Sequence, residues 1–277
     1  MTQIGLENGP NYLTYAVVQN QRDPALAVYA NACASNNVPS ALSLSTNLDT
    51  GTVTFGLNIA VQRGHLELAR QLLNAGAEWD AFTIEYALAP STHMVVGHND
   101  EACIQYLLER GANPSFGPKR RAPGHITEHR AVMNSGSILT KAAMECSPEI
   151  FALLRSHGSD LSHDGTIPLH CAAGHPLSRD GTSRIPMLEY LVDELGIDVN
   201  AMDDAIKIYD QGQGQTGTPL YYAVKCGHFE EVKWLLDRGA DPDLKTTWGG
   251  YSARDQAKIL PPGHAIRVLF EDLQPKT

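Results

Sequence analysis

The sequence predicts an all-α fold built as a linear array of antiparallel helix pairs. Two observations carry that expectation. The first is a recurring ending: Gly76-Ala77-Glu78, Gly111-Ala112-Asn113, Gly158-Ser159-Asp160, Gly196-Ile197-Asp198 and Gly239-Ala240-Asp241. The second is what precedes it, an apolar segment with helical spacing such as ARQLLNAGAE, FALLRSHGSD or VKWLLDRGAD. In each, a Leu-Leu type pair faces a core and a polar turn follows. The glycine then supplies the left-handed backbone that ends a helix.

Each unit also needs a first helix, and the sequence places one upstream of every ending. Within 54–80 it is LNIAVQRG from Leu57, ahead of ARQLLNAGAE; within 81–114, IEYALA from Ile84 precedes IQYLLERGAN. Within 137–161, LTKAAMEC from Leu139 precedes FALLRSHGSD. Within 164–200, LHCAAG from Leu169 precedes EYLVDELGID, and within 216–243, LYYAVKCG from Leu220 precedes VKWLLDRGAD. Small residues in the first helices let neighbours approach closely. Ile167-Pro168 and Thr218-Pro219 set a proline in a first turn, where its missing N–H costs nothing.

TPLYYAVKCGHFEEVKWLLDRGADP and DGTIPLHCAAGH resemble the ankyrin repeat, a unit of about 33 residues carrying T-P-L-H-x-A, then G-H and L-L-x-x-G-A-D. In GLNIAVQRGHLELARQLLNAGAE, Gly56 and Asn58 stand for the usual Pro and His, and the 137–161 unit has Lys141 and Cys146 at unusual places. The resemblance implies an ankyrin-repeat solenoid with short β-hairpin fingers, forming a single domain over 1–277. YLTYAVVQNQRDPALAVYANACAS then reads as an N-terminal cap at 12–36, and GGYSARDQAKILPPGHAIRVLFEDL as a C-terminal cap at 249–273. Such caps shield the last apolar faces of a stack, so a self-contained array is expected.

Successive endings lie farther apart than the family period, which means that residues are looped out at 90–96, 115–136, 176–184 and 202–215. In the family's geometry the second and fourth of these lie at the fingers beside the concave face. The other two join paired helices at the opposite edge. The 115–136 insertion carries Phe116, Ile126, Val132 and Met133, and it is expected to fold against the concave face.

Composition narrows the function. Of 277 residues, 43% are hydrophobic and 19% charged, the profile of a folded soluble chain. A formal charge of −10 argues against nucleic acid as a partner, since binding phosphate backbones calls for a basic surface. There is no apolar run of about eighteen residues for a membrane span. The N-terminal MTQIGLENGP lacks the basic and apolar regions of a signal peptide, so an intracellular protein, cytoplasmic or nuclear, is expected. Cys33, Cys103, Cys146, Cys171 and Cys226 are widely spaced and odd in number. They read as reduced thiols, not as a disulfide or zinc framework.

Motifs with chemical potential are few. Gly212, Gly214 and Gly217 form a G-x-G-x-x-G array before a helix, but the next element is FEEVKWLLDRG, another helix. No βαβ unit is available for a dinucleotide, and a glycine-rich finger is expected instead. His125 and His129, with Glu128 between them, have one-face helical spacing but lack a third ligand for zinc. Lys119, Arg120 and Arg121 read as a solvated loop tip, or as an anion clamp. His65, His170 and His228 occupy ankyrin positions whose task is to bond neighbouring loops. Cys171 adjoins His170, but adjacent helix residues point in different directions. Neither a cofactor nor a metal is expected.

The expectation for function is a protein-binding scaffold acting as a monomer. By the resemblance, the first helices offer Gln62, Arg63, Met144, Glu145, Lys225 and Cys226, with His175 close to an insertion. Fingers offer Thr52, Thr54 and Thr166, with Trp248 and Tyr251 near the last unit. A second reading stays open: the insertions could build a small-molecule or catalytic pocket. Its residues would be His125, His129, Glu128, Arg120 and Arg121, and the sequence alone assigns no catalytic group.

Overall fold

Glycine sets the rhythm of the chain. Gly76, Gly111, Gly158 and Gly239 take positive φ, and the next amide turns back to a leucine carbonyl: Ala77 to Leu72, Ala112 to Leu107, Ser159 to Leu154 and Ala240 to Leu235, at 2.9–3.2 Å. This is the left-handed stop that the recurring endings predict. The computed structural model describes residues 24–78, 101–115, 117–119, 130–132, 134, 136–163, 166–174, 183–203, 217–246 and 250–273.

In chain order the described elements are α1 (Pro24–Ala34), α2 (Val38–Ser45), α3 (Thr50–Gln62), α4 (Leu66–Asn74), α5 (Glu101–Glu109), β1 (Gly117–Lys119), β2 (Arg130–Val132), α6 (Ser137–Glu145) and α7 (Pro148–Ser156). They continue with α8 (Pro168–Gly174), α9 (Ile185–Glu189, prolonged by a π-helix over Tyr190–Glu194), α10 (Pro219–Cys226), α11 (Phe229–Asp237), α12 (Ala253–Ile259) and α13 (Ala265–Asp272). First helices stack on first helices: α1 on α3, and α6, α8, α10 and α12 in series. Second helices form the other row, with α2 on α4, α5 on α7, and α9, α11 and α13 in series. β1 and β2 make an antiparallel finger packed beside α6. One apolar core runs through the stack. Leu72, Leu107, Leu154, Leu191 and Leu235 are fully buried within it.

Four departures from the expected grammar have physical reasons. The first described pair runs from Pro24 to Ser45, so its second helix lies beyond the 12–36 span; residues 12–23 are outside the described ones. Asn36 supplies the left-handed turn with φ 56° in place of glycine, and the Asn37 side chain caps α2 by accepting from the Ser40 amide at 3.2 Å.

The second departure is at α3, which starts at Thr50 because Asp49 accepts the Thr52 amide at 3.1 Å. No proline opens the helix at Gly56, so it extends upstream. A side chain at Gly56 would collide with the buried Tyr29 ring.

The third concerns helices without a left-handed stop. Cys146 occupies the position of the usual glycine and takes an extended conformation, as do Leu260 and Leu273 at the ends of α12 and α13. At each of these ends an arginine from elsewhere collects the orphaned carbonyls. Arg184 Nη2 donates to Ala143 O at 2.8 Å and Cys146 O at 2.6 Å. Arg267 Nη1 donates to Leu260 O at 3.0 Å, and Arg254 Nη1 to Phe270 O and Leu273 O at 3.2 and 3.0 Å. Arg184, the last residue of the 176–184 insertion, is buried. Its own amide and the Ser183 hydroxyl donate to Glu231 of α11, also buried, so this corner ties three units together.

The fourth is an extra residue ahead of Gly196. The π-turn absorbs it, and the Ile197 amide reaches back to Leu191 O at 3.0 Å, one position farther than in the sister units.

Candidate functional site

The ends of the first helices bring one repeat position to the surface in unit after unit. Lys225 and Cys226 are exposed at the end of α10, while Gln62, Arg63, Met144 and Glu145 are half-buried at the ends of α3 and α6. Sequence reasoning missed the equivalent of Lys225 in the last described pair. It is Ile259, 68% exposed, the most open large apolar residue among those described. Pro261 and Pro262 push Gly263-His264 two places downstream and hide the register. Lys141 and Cys171, three residues before Met144 and Gly174, belong to the same face and were also missed.

The finger expectations divide. Thr52 lies in α3, its hydroxyl bonded to Asp49 at 2.7 Å. Thr54 is buried in the same helix and accepts the Glu78 amide at 3.0 Å, so it ties the two ends of its own unit together and offers no surface. Both were expected on a finger, and the upstream start of α3 is the reason they are not. Thr166 is half-buried and donates to His163 O at 2.6 Å. Tyr251 is exposed on a short turn, its amide donating to Thr246 Oγ1 at 3.0 Å. His175, Trp248, Arg120, Arg121, His125, Glu128 and His129 lie outside the described residues, as do the ends and tips of several insertions.

Charge is segregated between the two rows. Second helices expose carboxylates in excess: Glu67, Glu101, Glu109 and Glu149, then Glu189, Asp193 and Glu194 on one element. First helices carry Lys141, Lys225, Arg254 and Lys258 against Glu145 and Asp255, and Arg63 caps α3. Asp255 is already engaged, accepting from Lys245 at 2.6 Å and capping α12 through Ser252. Among the described helices the carboxylate excess therefore sits on the second row. Desolvation pushes the Cys226 thiol up, with neighbouring Lys225 opposing, the wrong direction for activation.

A buried polar knot fixes the finger base between α8 and α10. Asp203 accepts short hydrogen bonds from the Gly217 amide and the Tyr222 hydroxyl, and its own amide donates to Gly217 O at 3.2 Å. These bonds hold Asp203 and Gly217, on either side of 204–216, together. Desolvation, reinforced by Asp203, holds the Tyr222 phenol far above its usual range. His170 packs edge-on against Tyr222, with Nε2 2.9 Å from Ala201 O. His65 likewise reaches Ala34 O at 3.1 Å, the loop-bonding task expected of both.

Burial lowers the His170 pKa to about 4, against the opposing pull of its bonds to the Ala201 and Gly217 backbone. The folded state therefore binds fewer protons than the unfolded one between that value and the unperturbed value near 6.5. Stability is complete above the upper limit and declines as pH falls through the window. At pH 5 the loss should be roughly 2 kcal/mol relative to pH 7. Urea unfolding at the two pH values checks this, and His170→Gln should flatten the difference. An equal pH dependence in that variant would show that His170 is not its source.

The geometry describes a helical repeat solenoid in which the one finger among the described residues packs beside the first helix α6. Two family descriptions match the chain: "Ankyrin repeats (3 copies)" over residues 92–203 and "Ankyrin repeats (many copies)" over residues 209–257. The chain belongs to the ankyrin repeat family. Among solved structures it is similar to the human ASB11 ankyrin repeat domain, with TM-score 0.58 and 21% identity over 90% of this chain and 99% of that one. The ankyrin repeat domain of Bcl-3, a member of the IkappaB protein family, matches with TM-score 0.45 and 23% identity over 73% of this chain and 78% of that one. A search of curated proteins gave no match.

Proposed function

We propose that the chain is a scaffold that holds a protein partner along the ends of its first helices and the finger beside α6. Ankyrin repeats are in general protein-interaction modules. The observation that carries the reading for this chain is the row Gln62, Met144, Lys225 and Ile259. The same repeat position comes to the surface in four units, half-buried at Gln62 and Met144 and exposed at Lys225 and Ile259.

A photo-crosslinking amino acid placed at Met144 or Lys225 should capture a partner from native material. The same group at Glu149 or Lys233, on second helices, should capture none. Capture confined to the second-helix positions would overturn the reading.

A further inference from the structure

We propose that Arg70 and Arg110, held on the ring of Tyr106, form a site for a phosphate group carried by a partner protein. The site lies on the second-helix row and stands independently of the partner surface at the first-helix ends. Arg70 comes from α4, Tyr106 from α5, and Arg110 directly follows α5, so two units build it. The Arg70 guanidinium sits 4.7 Å and the Arg110 guanidinium 5.0 Å from the centroid of the one Tyr106 ring. Two cations brought to one ring repel each other, and the negative ring face offsets only part of that repulsion. An anion docked between them turns it into two attractions.

The carboxylates nearest in sequence are turned elsewhere. Glu67, one turn before Arg70, accepts from Gln71 at 2.8 Å, and Glu109, next to Arg110, accepts from Gln105 at 2.8 Å. Among the described residues neither Arg70 nor Arg110 makes an ion pair, whereas Arg238, Arg254 and Arg267 all do. A guanidinium stacked on a ring keeps its in-plane N–H donors for another group, and the stack orients the fork that grips an oxyanion through two of them. A phosphate monoester suits the pair, with a charge of about −1.5 to −2 at neutral pH and three acceptor oxygens for two forks. A single carboxylate would leave one of the cations unmatched. Both arginines are exposed and Tyr106 is half-buried, so the site is open. Small-molecule sites are concave and cover about 70–90% of their ligand. The phosphate therefore arrives on a chain whose flanking residues supply the remaining contact.

The test is retention of a degenerate phosphoserine peptide library, and of its unphosphorylated twin, on the immobilised full-length chain. The phosphorylated library should be held about tenfold more firmly, with the difference shrinking as salt rises. Arg70→Gln and Arg110→Gln should each bring the two libraries close to parity, since a lost fork leaves phosphate oxygens unmatched. Both side chains are exposed, so the melting temperature should hold in either variant. Arg70→Lys should recover only part of the preference, because an ammonium lacks the fork. Tyr106→Phe keeps the ring and should keep the preference. Lys225→Gln on the first-helix row and Lys233→Gln on α11 should leave it unchanged. Equal retention of the two libraries, or a preference that survives both arginine substitutions, would overturn the proposal. A library with glutamate in place of phosphoserine held as firmly would overturn the phosphate assignment. Inorganic phosphate competing at the peptides' own concentration would overturn the assignment to a partner chain. A preference lost only with Lys225→Gln would remove this site while leaving the first-helix surface as a partner face.

Discussion

Arg184→Ala should destabilise the chain by about 2–4 kcal/mol, because it strands buried carbonyls of α6 that no glycine stop can satisfy. The guanidinium takes both the Ala143 and the Cys146 carbonyls, and the Arg184 amide is held by buried Glu231. The cause is testable through Cys146. In the Arg184→Ala background, Cys146→Gly restores a residue that can turn left-handed and return the orphaned carbonyls to local amides. It should therefore recover stability there while costing stability in the parent, where the arginine already does that task and the buried thiol packs well. Urea unfolding of the four proteins gives the coupling directly. Additive effects would show that Arg184 does not act as the stop for α6.

Leu235→Ala is the second large effect. Leu235 is fully inaccessible at the interface of the α9, α11 and α13 row with the first helices, and truncating such a leucine leaves a cavity worth about 2–5 kcal/mol. Leu236, half-buried beside it, should cost distinctly less. Thermal melts of the two variants check the helix register. Equal losses, or a larger loss for Leu236→Ala, would contradict it.

The architecture was legible because its signals are local. A glycine that must turn left-handed, a leucine pair four and three residues before it and a proline in a first turn each act within one helix end, so position alone reveals them. The irregular ends were harder to see. Nothing near Cys146 announces that Arg184 completes its helix, since the compensation crosses from one unit to another. The extra residue ahead of Gly196 looks like a neutral insertion until the π-turn shows where it goes. Asn36 replaced glycine by a conformational equivalence that glycine-based spacing overlooks, and Pro261-Pro262 displaced the register that would have exposed Ile259.

The surface was legible in part for the same reason. Lys225, Cys226, Met144 and Gln62 follow from counting back from a Gly-His or its equivalent. Thr52 and Thr54 were misplaced because the start of α3 is set by Asp49, not by the repeat pattern. Charge segregation was invisible in the total of −10, since the sum does not say which row a carboxylate occupies. The backbone pairing of Gly117–Lys119 with Arg130–Val132 was not legible either, since sequence spacing across an insertion does not define a strand register.

A partner is expected along the first-helix ends and the β1–β2 finger. Hydrogen exchange of the full chain, free and bound to the protein captured by crosslinking at Lys225, tests it most directly. Slowed exchange is expected at the last turns of α6, α10 and α12 and across Gly117–Lys119 and Arg130–Val132, with α7, α11 and α13 unchanged. Protection confined to those second helices, with the finger and first-helix ends exchanging as in the free chain, would contradict it.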